Sequence, residues 1–457
     1  MKKIEHLLEL GQLRGTCPER IRFLKMSSKP NTGPQTKTGS KSEQTRNQIL
    51  AAAAKLFRDE GYDASTLRKI AGKAGMEAGS IYYHFSSKDV ILDEVLDNGL
   101  RQLFDAVKQT RVEAKANGTA FREAFGAMVD THLTYLLLAS DSTSANIRNF
   151  STLPEEMSKR HRPLRRAYAD LWDEFLGAAC KAGEIRDDIK VVPLRQFVLG
   201  ALNWTVEWYD AERYPIEMLS QRAAKLILDG MATQHGAATI PIISEPDVIT
   251  GKPDDEGSKA SRSRKHILSA AARIMRDKGY SSATLRDIAD EAGMEAGSVY
   301  YHFASKDQIL DEVLDIGLRD LLEGVAEVME QGHDAPEHRS RIAAAIRRHF
   351  QHLFAKSEFT SANLRMYGQL PKAVRARHLP VRHDYGTLWD RCLEAAQDAG
   401  EIRPDIKVVP LRQVMLGALN WTVEWFDPDR DGLEGAYSLD DMVRMLQILL
   451  LDGIVAR

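Results

Sequence analysis

Cysteine is nearly absent from this 457-residue chain. Its three thiols, Cys17, Cys180 and Cys392, have no metal-ligand spacing and read as isolated, reduced side chains. Long apolar runs are missing as well: none approaches the roughly 18 residues of a membrane span. The opening MKKIEHLLELGQLRG is basic, but Glu5, His6 and Glu9 interrupt any apolar signal region, so a cytoplasmic protein is expected. An excess of positive charge is lacking too. With 62 Lys and Arg against 65 Asp and Glu the formal charge is −3, and any contact with DNA must come from local basic faces. No Ser-His-Asp arrangement or phosphate-cradling glycine loop is visible, so neither an enzyme nor a cofactor is expected. His132 with His349, and His161 with His378, recur without a carboxylate or cysteine at metal spacing, which argues against a metal.

What the chain does have is a copy of itself. TLRKIAGKAGMEAGSIYYHFSSKD, from Thr66 to Asp89, returns as TLRDIADEAGMEAGSVYYHFASKD, from Thr284 to Asp307. The offset is 218 through this stretch and 217 further on, where LGALNWTVEW at 199–208 recurs at 416–425, so one residue was lost in a loop between. In each copy a threonine can cap a short helix, a glycine can end it, and a second short helix places Ile81 and Phe85 four apart on its inner face. Helix, glycine turn, helix is the pattern of a DNA-reading element.

The rest of each copy carries apolar residues at helical spacing, with no hairpin pattern, so the expected fold class is all-α. In the first copy, helices are expected at about Ser42 to Gly61, Ser87 to Ala116, Phe121 to Ala139 and Asp141 to Phe150. Others are expected from Pro154 to near Gly183, with an irregularity at Pro163, from Pro193 through Trp208, and from Pro215 to Gly230. The expected layout is an unstructured extension at 1–41, a head at 42–88 and a body at 89–232. A linker at 233–258, a second head at 259–306 and a second body at 307–457 follow. As a random coil, ~25 linker residues span on the order of 28 Å.

From Gly75 through Lys88 a glycine turn leads into a short helix ending YYHF and then SKD. This resembles the recognition helix and fourth-helix start of the tetracycline-repressor (TetR) family of bacterial one-component regulators. The resemblance implies a helix-turn-helix head on double-stranded operator DNA and an all-helical body that binds a small-molecule inducer and dimerises. It covers both copies, so one chain would form an intramolecular pseudo-dimer, with further homodimerisation left open. Its last two body helices would pair across the copies as a four-helix bundle. The Asn-Trp-Thr segment resembles the subgroup that regulates fatty-acid and other CoA-dependent degradation pathways.

Candidate DNA contacts in the first head are Thr66, Glu77, Ala78, Gly79, Ser80, Tyr82, Tyr83, His84 and Lys88. Their counterparts are Thr284, Glu295, Ala296, Gly297, Ser298, Tyr300, Tyr301, His302 and Lys306. Ala-Gly-Ser admits the backbone close to the groove, and Lys88 and Thr66 are expected at helix N-termini on phosphates. Packing of one tyrosine against the first helix is the plainer alternative. Candidate ligand contacts are Arg148, Trp172, Asn203 and Trp204, with Arg365, Trp389, Asn420 and Trp421. Against these stand core packing for the tryptophans and a plain ion pair for the arginines. Arg160, Arg162, Arg165 and Arg166 suit a CoA phosphate or a solvated face equally.

The recognition segments differ only at Ile81 and Val299, so both heads are expected to read the same half-site. Lys69 and Lys73 become Asp287 and Glu291, so the second head is expected to grip the backbone less firmly. A basic arm around Lys259, Arg262, Arg264 and Lys265 would offer compensation.

Overall fold

The computed structural model describes residues 41–230, apart from 63, 151, 152 and 154, and residues 258–453, apart from 281, 332–336, 368, 369, 371 and 428–436. The expected extension, Lys41 excepted, and the expected linker, Ser258 excepted, lie outside the described residues. Every regular element among the described residues is a helix, and none is long and apolar enough to cross a membrane. The chain divides near residue 228 into two compact units.

In the first unit α1 (Lys41–Asp59) buries Ile49, Ala53, Leu56 and Phe57, the stripe that a 3.6-residue period puts on one face. Helix α2 (Leu67–Ala74) starts where the Thr66 hydroxyl accepts from the Lys69 amide at 3.2 Å. It stops at Gly75, whose φ of 73° suits a residue without a side chain. The short α3 (Ala78–Ile81) then seats Ile81 and Phe85 against α1 and α2 in one apolar core.

Helix α4 (Lys88–Ala116), capped by Ser87 on the Val90 amide, runs about 43 Å at 1.5 Å per residue, from the head into the body. Its Ile91, Leu92, Val95 and Leu96 belong to the head's core; so do Ala145 and Met157, which come from the body. Head and body therefore share a helix and a core.

The body continues with α5 (Phe121–Thr134), which widens into a π turn at Tyr135–Ala139, then α6 (Asp141–Asn149) and α7 (Glu155–Lys181). Next come α8 (Val191–Asn203), a 3-10 turn at Trp204–Glu207, and α9 (Ile216–Asp229). Helix α7 runs through Pro163 as one helix, the position where an irregularity was expected. Pro163 is exposed, where solvent can take the carbonyl that its missing N–H leaves. Helix α6 crosses α4 at Gly99 so closely that a Cβ there would lie 2.3 Å from the Ser142 carbonyl oxygen. Two side chains of α6 fix the crossing: Thr143 donates to the Gly99 carbonyl (2.9 Å) and Asn146 to that of Leu96 (2.8 Å).

The second unit repeats the order. Its head holds α10 (Lys259–Lys278), α11 (Leu285–Glu291), α12 (Ala296–His302) and the start of α13 (Lys306–Gln331). Its body holds α14 (His338–Gln351) with a π turn, α15 (Glu358–Tyr367), α16 (Lys372–Asp398), α17 (Val408–Asn420) with a 3-10 turn, and α18 (Leu439–Asp452). The tight crossing recurs at Gly317, with Thr360 and Asn363 as donors. The basic segment expected as an arm is helical: Ser258 caps α10 on the Ser261 amide, so Lys259 to Lys265 form its first turns.

Candidate DNA interface and sensing core

Burying Ile81 and Phe85 forces the residues between them outward. Tyr82 is 63% and Tyr83 90% exposed; Tyr300 and Tyr301 are 60% and 82% exposed over buried Val299 and Phe303. Large aromatics held out by a rigid core are presented surfaces, and packing of either tyrosine on helix one is thereby set aside. Glu77 and Glu295 stand at the helix starts with no side-chain capping bond. Gly79 and Gly297 have open space where a Cβ would stand, and Ala78, Ser80, Ala296 and Ser298 flank them on the same short helices.

The end of each recognition segment is held by an arginine that sequence reading missed. Arg46 donates to the His84 carbonyl (3.3 Å), pairs with Glu94, and lies 4.2 Å over the Phe85 ring. Arg264 repeats this with His302, Glu312 and Phe303. Its recurrence at the 218 offset was the available signal.

Two expected phosphate contacts have other work. The Lys88 ammonium turns inward, donating to the Tyr62 and Ser65 carbonyls (2.9 Å each) beneath the Tyr62 ring, and Lys306 does the same with Tyr280 and Ala283. Both lysines pin the loop before helix two, where bare carbonyls attract a cation. In the second head the Thr284 hydroxyl donates to the Asp287 carboxylate (2.5 Å) and accepts from its amide (3.0 Å), a closed capping box. The Lys278 ammonium, followed by the Thr284 bonds, holds the Asp287 carboxyl far below its usual range.

The helix-two charge difference also reads differently in three dimensions. Lys69 pairs with Glu60 at 2.7 Å, and at the matching positions Asp287 pairs with Lys278 at 2.7 Å. The pair has swapped polarity. Glu291 pairs with Arg273, which stands at the position of Lys55. Residues 41–88 carry eight Lys and Arg against five Asp and Glu, and residues 259–306 nine against five. The charge argument for a weaker second head therefore fails, because cations lost from helix two reappear on α10.

In the bodies, Asn203 is satisfied within a buried chain of side chains. Its Oδ1 lies 3.1 Å from His132 Nε2, and His132 Nδ1 lies 2.7 Å from the Tyr168 hydroxyl. As the amide is placed, Nε2–H donates to Asn203 and the tyrosine hydroxyl donates to Nδ1, which requires a neutral ring. Burial drives the His132 pKa down to about 4 and raises that of Tyr168. Tyr385, His349 and Asn420 repeat the chain at 2.6 and 2.9 Å, with His349 also at about 4. The tyrosine was not foreseen, although AYADLWD and DYGTLWD recur at matched places, and the histidine was noted only as a recurring pair.

Trp172 and Trp389 are fully buried beside these chains, each indole N–H next to the chain's tyrosine hydroxyl. Trp204 and Trp421, half-buried, open the 3-10 turns. Arg148 does not face an open site. It donates to the Val206 carbonyl (2.6 Å), the Glu207 carboxylate (3.0 Å) and the Arg58 carbonyl near the end of α1. Arg365 donates to the Val423 carbonyl (3.2 Å). Arg165 is likewise used internally, 3.5 Å over the Phe150 ring and bonded to Asn146. His161 pairs with Asp93 of α4 at 2.9 Å, and His378 with Asp311 at 3.2 Å.

Comparison with known proteins matches both copies. The profile described as "Bacterial regulatory proteins, tetR family" fits residues 49–95 and 267–313. "Tetracyclin repressor-like, C-terminal domain" fits 118–231 and 335–454. A relative is the HTH-type transcriptional repressor KstR2 of Rhodococcus jostii (strain RHA1), 29% identical over 44% of this chain and 98% of its own length. Another is the fatty acid metabolism regulator protein of Bacillus subtilis (strain 168), 26% identical over 40% of this chain and 94% of its own. Among solved structures, AibR in complex with isovaleryl coenzyme A and operator DNA aligns at 23% identity over 41% of this chain and 98% of that one, with a TM-score of 0.37.

Proposed function

Because the chain belongs to the tetR family of bacterial regulatory proteins, matched in both copies, we propose that it is a ligand-responsive transcriptional repressor. It acts as a covalent pseudo-dimer on a palindromic operator. The observation that carries this is the doubled reading surface: Tyr83 and Tyr301 stand out from rigid cores at matching places, behind the same Glu-Ala-Gly-Ser starts. Two such surfaces on one chain suit two half-sites about one helical turn, roughly 34–36 Å, apart. Thr66, Glu77 to Ser80 and Tyr82 to His84, with the counterparts of all but Thr66, supply the contacts. Lys88 and Lys306 act by holding the loop beside them.

The inducer is a CoA thioester or a hydrophobic acid, a reading supported by the relative named as a fatty acid metabolism regulator. Its acyl group would lie beside Trp172 or Trp389 and the Tyr–His–Asn chains. Ligand binding would tilt α4 and spoil the head spacing, which requires that the ligand favour one of two body states.

A gel shift against the DNA upstream of the gene tests this. Wild type should retard the fragment, and Tyr83→Ala with Tyr301→Ala should abolish the shift while thermal unfolding stays unchanged. A folded wild-type chain that shifts no fragment would favour a small-molecule-binding protein that has lost its operator.

A further inference from the structure

We propose that Arg148 is the positioning residue through which the state of the first body reaches its DNA-binding head, with Arg365 its counterpart on the turn of the second. This deepens the repressor reading above and depends on it. Three elements meet at Arg148. From α6 its guanidinium reaches the Arg58 carbonyl, one residue before the end of α1. There the carbonyls left without intrahelical partners carry negative partial charge and favour a cation. The same group donates to the Val206 carbonyl and the Glu207 carboxylate in the 3-10 turn. Side-chain exposures of 17% and 20% for Arg148 and Glu207 put the ion pair where solvent screens it weakly.

That turn is the direct continuation of α8, whose last residue, Asn203, is the end of the Tyr168–His132–Asn203 chain. Thr205, fully buried, ties the turn back to α8 through the Leu202 carbonyl at 2.6 Å. A change that displaces Asn203 therefore moves the backbone carbonyl that Arg148 grips two residues beyond the turn's start. Because a planar fork with several donors is held at both ends, it cannot follow one end without pulling on the other. The adjacent Asn149 adds to the grip, accepting from the Tyr62 amide at 3.1 Å. In the second unit Arg365 holds the Val423 carbonyl of the matching turn, below the Tyr385–His349–Asn420 chain. The α4–α6 seam is fixed by its own side-chain bonds, so the arginine fork links body and head in addition to the shared helix and core.

The test needs no inducer. A DNA fragment is selected from a random pool by the full wild-type chain, and its affinity is followed by fluorescence anisotropy. Opening both buried chains with Asn203→Ala and Asn420→Ala should weaken binding by ~5–30-fold, the span of a moderate coupling energy. In an Arg148→Gln, Arg365→Gln background the same pair should add less than about twofold. Arg148→Lys with Arg365→Lys, which keeps charge but not the fork, should restore only part of the coupling. Hydrogen exchange of residues 41–59 supplies a readout that does not need DNA: protection should fall on opening the chains in wild type and stay unchanged in the glutamine background. Equal losses in the two backgrounds, by both readouts, would overturn the proposal and leave the repressor reading standing. A wild-type chain that selects no DNA would defeat the repressor reading instead, with the exchange data still deciding the coupling.

Discussion

At the scale of single residues, the buried imidazoles carry the clearest consequence. His132 and His349 are neutral in the folded protein because burial holds their pKa near 4, against 6.5 in an unfolded chain. Between those values the unfolded chain binds the extra proton, so stability rises with pH across that window. The contribution is complete above pH 6.5 and is lost progressively as pH falls towards 4. It amounts to roughly 3 kcal/mol per body at most, at 1.36 kcal/mol for each unit of pKa. Urea unfolding at pH 7.5 and pH 5 should therefore show a marked loss of stability at the lower pH, and His132→Gln with His349→Gln should flatten it. An unchanged pH slope in the double variant would place its origin elsewhere. These roles were only half legible in the sequence. Asn203 drew attention as a polar residue in an apolar helix, but its partner is 71 positions away. Lys88 was misread because its acceptors are backbone carbonyls, which leave no mark in a sequence; Arg148, for which an ion pair was the alternative, does pair with Glu207.

At the scale of elements, local signals served well wherever a helix begins and ends by its own chemistry. Thr66, Gly75 and Ser87 act as cap, stop and cap as expected, and α4 ends at Ala116 just before Asn117 and Gly118. Local signals gave less where tertiary contact decides. Pro163 read as an irregularity within its helix because its exposure was unknown, and Lys259 to Lys265 read as an arm because the start of α10 depends on Ser258. The crossing of α4 and α6 had no local signal beyond a glycine in a helix, yet it demands one. Gly99→Ala should place a Cβ in contact with the Ser142 carbonyl and cost about 1–3 kcal/mol, the usual penalty for overpacking. Gly72, also helical and with nothing near its Cβ position, is the control. Gly72→Ala should be neutral or stabilise by up to ~1 kcal/mol through helix propensity alone. Thermal unfolding of both variants checks the contrast, and equal effects would mean that the crossing relaxes at little cost.

At the scale of the whole molecule, duplication changes how DNA binding responds to concentration. Two separate chains must first meet, whereas two heads on one chain meet at an effective concentration that does not depend on how much protein is present. Nearly equal local charge on the two heads, once the Glu60–Lys69 pair is seen to reappear with reversed polarity as Lys278–Asp287, gives no reason for one head to dominate. Binding to a palindromic fragment should accordingly follow a simple one-site isotherm, with one chain per fragment by native mass spectrometry. Disabling a single head should forfeit the linked advantage whichever head is chosen. Tyr83→Ala alone and Tyr301→Ala alone should each weaken binding by ~10²–10⁴-fold and by similar factors. A steep dependence on chain concentration with two chains per fragment would show that each chain uses one head at a time. Losses differing by more than about tenfold between the two variants would show that the heads contribute unequally, despite their matched charge and identical reading residues.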